Sequence, residues 1–86
     1  MKVHVPSPLH SYTGGRSVVE GSGATLEEVI AGLEKMYPGL RFRIVNEQGR
    51  IRTHIRIFVA KRGADGLQHS VGPGDDVHII AALSGG

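Results

Sequence analysis

The sequence has 86 residues, 40% of them hydrophobic and 21% charged, with a formal net charge of +2 and no cysteine. That composition excludes a disordered tail, a disulfide framework and a thiolate metal site, so one small domain must be held together by an apolar core. So small a net charge gives no general field for nucleic acid, and no apolar run approaches the ~20 residues of a membrane-spanning helix. Met1 to Leu9 lacks a charged leader followed by an apolar stretch, and with cysteine absent the expected location is the cytoplasm.

In chain order, Lys2, Val3, His4 and Val5 alternate as a half-buried strand does, and Pro6 and Pro8 prevent its continuation as a central strand. Gly14 and Gly15 supply reversal residues, and Ser17 to Glu20 reads as a second strand ending at Gly21 to Gly23. The two are expected to form a hairpin. A phosphate cradle at Gly14 and Gly15 is disfavoured, because neither a lysine nor a helix start follows them.

Thr25 as N-cap with Glu28 three residues on is a capping box, and Leu26, Val29, Ile30, Leu33 and Met36 recur at helical spacing. All five are expected in the core. Pro38 ends the helix. Gly32 inside it costs ~1 kcal/mol relative to alanine, which close approach of helix to sheet would explain. From Leu40 to Gly49 a connecting stretch is expected, with Leu40, Phe42, Ile44 and Val45 capping the core edge.

Arg50 to Val59 alternates, placing Ile51, Thr53, Ile55, Ile57 and Val59 on a core face and Arg50, Arg52, His54, Arg56 and Phe58 on a basic one. Lys61 to Gly66 reads as a turn, Leu67 to Val71 as a short edge piece, and Gly72 to Asp76 as a tight turn into a last strand from Val77. Asp75 and Asp76 are expected to serve that turn rather than form a paired carboxylate site. The five histidines show no metal-ligand spacing, so no metal site is expected. Together these pieces describe an α+β domain over residues 1–82, a mixed sheet with one main helix on one face and the first and last strands side by side in its centre. Residues 83–86 form a tail.

That tail is Leu83, Ser84, Gly85, Gly86. Paired glycines bury nothing and are costly to order. By chance they would end about one chain in 200 at average glycine usage. An unhindered carboxylate on thin backbone can, however, be threaded into a narrow enzyme channel.

With the N-terminal hairpin, the Ala24-Thr25-Leu26 helix start, the Gly74 to Val77 turn and the Ile79 to Gly86 ending, the whole chain resembles the ubiquitin-like sulfur carriers of the ThiS and MoaD family. Among them it is most similar to carriers of CysO type, through Thr13-Gly14-Gly15 and the ending Ile79-Ile80-Ala81-Ala82 to Gly85-Gly86. It departs at Ala81, where many relatives have proline. The resemblance implies a β-grasp fold and a carrier that is not itself an enzyme and binds no cofactor. An E1-like adenylating partner of ThiF or MoeB type would use ATP to activate the Gly86 carboxylate, and a sulfur donor would convert it to a thiocarboxylate. Gly85 would permit the extended approach, with Ser84 and Leu83 completing the reach into a partner's site. A second partner would be the biosynthetic enzyme that accepts the sulfur, and the free carrier is expected to be monomeric.

Arg52, Arg56 and Phe58 can be read as a docking surface for these partners or as a solvated sheet face. Nucleic acid fits poorly, since there is almost no aromatic interleaving for stacking on bases, and no membrane contact is expected. Two alternatives use the same family resemblance: a protein modifier joined to lysines through Gly86, and a small subunit resident in a molybdopterin-synthase-like complex.

Overall fold

Alternate residues of each main strand turn to one side. Val3, Val19, Ile55, Ile57, Val59, Val77 and Ile79 are all buried, whereas the residues between them are exposed or half-exposed. The computed structural model describes residues 1–82. In it β1 (Lys2–His4), β2 (Val18–Glu20), β3 (Ile55–Val59), β4 (Arg62–Gly63) and β5 (Val77–Ala81) form one sheet in the order β2-β1-β5-β3-β4. β5 lies in the middle, parallel to β1 with Val3 opposite Val77, and antiparallel to β3 with Ile57 opposite Ile79. The parallel pairing of first and last strands matches the expectation, and the mixed sheet with its crossover helix is the β-grasp arrangement.

Helix α1 (Leu26–Met36) begins where the capping box requires. The Glu28 N–H donates to the Thr25 hydroxyl oxygen at 3.3 Å, while the Glu28 carboxylate reaches back to the Ala24 N–H at 2.9 Å. The next free donors of the first turn are met from elsewhere in the chain: the Leu26 and Glu27 N–H groups bond the carbonyls of His69 (3.1 Å) and Leu67 (2.9 Å). Leu67 to Val71 is therefore not the expected edge piece; a single bridge from Ser70 to Thr25 ties this loop to the helix start. Leu26, Val29, Ile30 and Leu33 are buried in one cluster with the strand residues, each such side chain worth roughly 1.5–3 kcal/mol of burial. Met36, expected with them, is 56% exposed at the last helical position.

The segment after α1 differs from expectation. Gly39, with φ +95°, opens a second short helix α2 (Leu40–Ile44), and a side chain there would crowd the Tyr12 ring at 3.0 Å. The Glu34 carboxylate accepts the N–H groups of Gly39 (3.0 Å) and Arg41 (2.8 Å). Those two bonds, Gly39's first, hold its carboxyl below the usual carboxylate range. Leu40, Ile44 and Val45 are buried as expected, but Phe42 is 56% exposed.

Three further expectations are corrected. Arg50 to Val59 is not one strand: Val45 and Ile51 bridge around a turn at Asn46 to Gly49, and the chain turns again before β3 starts at Ile55. Thr53 is consequently exposed. The turn read at Lys61 to Gly66 is shorter and earlier, at Ala60 and Lys61 (φ +50° and +72°), and Arg62 and Gly63 are already β4. Gly32 has nothing within 4 Å of where a Cβ would stand, so close helix–sheet approach does not explain it. A 3₁₀ helix, Ser7–Tyr12, fills the connection between β1 and β2, where Gly14 and Gly15 adopt positive φ as reversal residues.

Candidate functional site

Period two sends His78 and Ile80 of β5 away from the core that holds Val77 and Ile79. The registers carry that row across the sheet: Val18 lies opposite His4, His4 opposite His78, and His78 opposite Phe58, while Arg56 lies opposite Ile80. Among the described residues this face's apolar members stay partly in water, Ile80 at 47% and Val18 at 41% exposure.

At the centre of the row the His4 and His78 rings stack in parallel, 4.0 Å between centroids and 3° between planes. The His4 Nε2 atom is buried and lacks a hydrogen-bond partner among the described residues, with Asp76 Oδ2 3.9 Å away, beyond bonding distance. Among the described residues no three His, Asp or Glu side chains gather as a ligand set for a metal. Asp75 does serve the turn, its carboxylate accepting the Gly72 N–H at 2.8 Å.

β5 ends beside the turn that precedes β3. The Ala82 N–H donates to the His54 carbonyl at 2.7 Å, continuing the β3–β5 ladder one step past Ala81. The chain is thus held on its central strand up to Ala82. Leu83, Ser84, Gly85 and Gly86, which carry the sequence expectation of a working tail, lie outside the described residues.

The expected partner-contact residues separate. Arg56 and Phe58 stand on the open face, next to Ile80 and His78. Arg52 does not share their row, because it precedes β3 in the turn closed by the Ile55 N–H to Arg52 carbonyl bond, 2.9 Å. Its guanidinium lies 4.7 Å over the Phe42 ring and its Nε–H donates to the Phe42 carbonyl at 2.7 Å, which fastens it to α2. His4, His78 and Ile80 belong to the face but were not singled out for it from sequence. Carrying the period-two pattern of the last strand onto its outer face would have found His78 and Ile80. The arrangement can present a chain end from a fixed strand and offer a mixed apolar and basic surface beside it.

The model of the ThiS family matches residues 3–86. The sulfur carrier protein CysO of Mycobacterium tuberculosis is 35% identical over 89 residues, covering 98% of this chain and 96% of that protein. A chain of the Amycolatopsis orientalis BexX/CysO complex superposes with a TM-score of 0.91 at 33% identity, covering 99% of this chain and 98% of that one. The Methanosarcina acetivorans small archaeal modifier protein 1, with a TM-score of 0.79 and 23% identity over 99% of this chain and 94% of its own, shares the fold.

Proposed function

Because the chain belongs to the ThiS family, we propose that it is a sulfur carrier whose reactive group is the carboxylate of Gly86. The observation that carries this reading is the match to CysO carriers at 35% identity over nearly the whole of both chains. The geometry around β5 fits it, since the strand leading to Leu83 is anchored in mid-sheet and the open face flanks its end.

On this reading the chemistry is divided between the carrier and its partners. A carboxylate is a poor acyl donor because an oxide leaving group is too basic. Transfer of the AMP moiety of ATP to the Gly86 carboxylate, with release of pyrophosphate, gives an acyl-adenylate whose leaving group departs readily. Attack by sulfide then forms the carbon–sulfur bond, expels AMP and leaves a thiocarboxylate. The adenylating partner supplies ATP, and a sulfur donor supplies the sulfide equivalent. A sulfur-accepting biosynthetic enzyme consumes the product. From Leu83 to Gly86 an extended chain reaches at most ~14 Å, enough to enter a partner's active site while the folded domain stays outside.

The reading is tested by ATP–pyrophosphate exchange with an E1-like adenylating enzyme of ThiF or MoeB type. Exchange that requires this chain and disappears when Gly86 is removed is the expected result. Exchange indifferent to the loss of Gly86 overturns the assignment of that residue.

A further inference from the structure

The sheet's β3 edge is unfinished. β4 pairs only with Phe58 and Val59, and one more bond, from the Ala64 N–H to the Ile57 carbonyl at 2.9 Å, extends the cover. Backbone groups alternate sides along a strand, so that bond fixes which residues face outward. Ile55 and Ile57 direct their backbone groups away from β5, and Arg56 and Phe58 direct theirs toward it. The outward Ile55 N–H is taken by the Arg52 carbonyl. The Ile55 carbonyl and the Ile57 N–H have no bonding partner among the described residues. They flank Arg56 and leave one acceptor and one donor at the spacing an added strand requires.

A groove of about 560 Å³ runs along this edge, lined by Arg52, Arg56, Ile57, Gly63, Ala64 and Asp65 among others. Its charge leans basic. Asp65 is the one acidic residue lining it, while Arg52 and Arg56 line it and Arg62 stands on the adjoining β4. Among the described residues neither Arg56 nor Arg62 has a carboxylate within ion-pair distance.

We propose that this edge binds an extended, acidic segment of a partner protein, which adds as a short strand beside Ile55–Ile57. The segment's backbone would give an N–H to the Ile55 carbonyl and accept the Ile57 N–H. The carboxylate on the open face opposite Arg56 would pair with it, supplying orientation and partner choice. A second copy of this chain is the poorer occupant, because antiparallel pairing of two such edges would set arginine against arginine. The proposal does not use Gly86, so a chain lacking that residue is expected to bind equally well, and failure here leaves the carrier reading untouched.

The test is a titration of the isotope-labelled full chain, followed through its backbone amides, with a short synthetic peptide alternating valine with glutamate or aspartate. Saturable shifts centred on Ile55 to Ile57 and Arg62 to Ala64, with slowed exchange of the Ile57 amide, are expected. Affinity is expected to fall about tenfold or more with Arg56→Glu, as loss of a well-placed charge pair implies. It is expected to fall similarly for a peptide of the same charge with its central backbone nitrogens methylated. Equal binding of the methylated peptide, or of a lysine-for-carboxylate counterpart, overturns strand addition by an acidic segment. So do shifts confined to another face, shifts that rise with protein concentration alone, and an absence of binding.

Discussion

The two faces of the sheet are built from alternate residues of the same strands, yet their surroundings differ. On the covered face Val3, Ile57, Val77 and Ile79 share one buried cluster with Leu26, Val29, Ile30 and Leu33 of α1; on the other, Val18, Arg56 and Ile80 remain in contact with water. The contrast predicts a division: a substitution on the open face should leave stability nearly unchanged, one residue away from a position on the same strand where it would not.

The sharpest way to break that division is Leu33→Ala, which removes a buried side chain from α1 and is expected to cost about 2–5 kcal/mol, read from urea unfolding. Arg56→Ala, on the other face, is expected within about 0.5 kcal/mol of the parent while slowing reaction with the adenylating partner; a large stability loss there would show that the open face also supports the fold. Thr25→Ala tests the helix start, and loss of that cap is expected to cost roughly 0.5–2 kcal/mol. Gly32→Ala should move the other way. With open space at the Cβ position, a gain of about 0.5–1 kcal/mol is expected, and a loss would reveal a constraint on the helix beyond packing.

The smallest effect concerns pH. The Glu34 carboxyl is held below its ordinary range by the Gly39 and Arg41 N–H groups. A lowered folded-state pKa contributes stability that is present above the unfolded-state value and is lost as pH falls through the folded-state one. Urea midpoints measured on descending through the acidic range should therefore fall less for Glu34→Gln than for the parent. Parallel curves would mean that the α2 start is held without this charge.

The same division explains what the sequence disclosed. The hairpin, α1 and the central last strand were legible, because Thr25 with Glu28, the 3.6-residue spacing of Leu26 to Leu33 and the apolar run that follows the Gly72 to Asp76 turn each point to one structure. Between Leu40 and Gly63 the buried residues were legible, and the bounds of the elements were not. Alternation from Arg50 through Val59 is equally compatible with one strand or with a bridge at Ile51, a turn and a shorter strand; bonds from Arg52 to Ile44 and Phe42 decide it. The β3–β4 turn places Ala60 and Lys61 at positive φ, where asparagine and glycine are the usual signals. The open face was half-legible: Arg56 and Phe58 were assigned to it from alternation, while His4 and His78 needed the parallel register of β1 with β5 to bring their rings together.

Intact-mass and fragment-ion spectrometry tests the proposed carrier role most directly, after the full chain is incubated with an E1-like adenylating enzyme, ATP and sulfide. The expected result is exchange of one oxygen for one sulfur, located at Gly86 and absent when ATP is withheld. An unchanged mass with an enzyme demonstrably active in ATP–pyrophosphate exchange, or a sulfur located elsewhere in the chain, would contradict it.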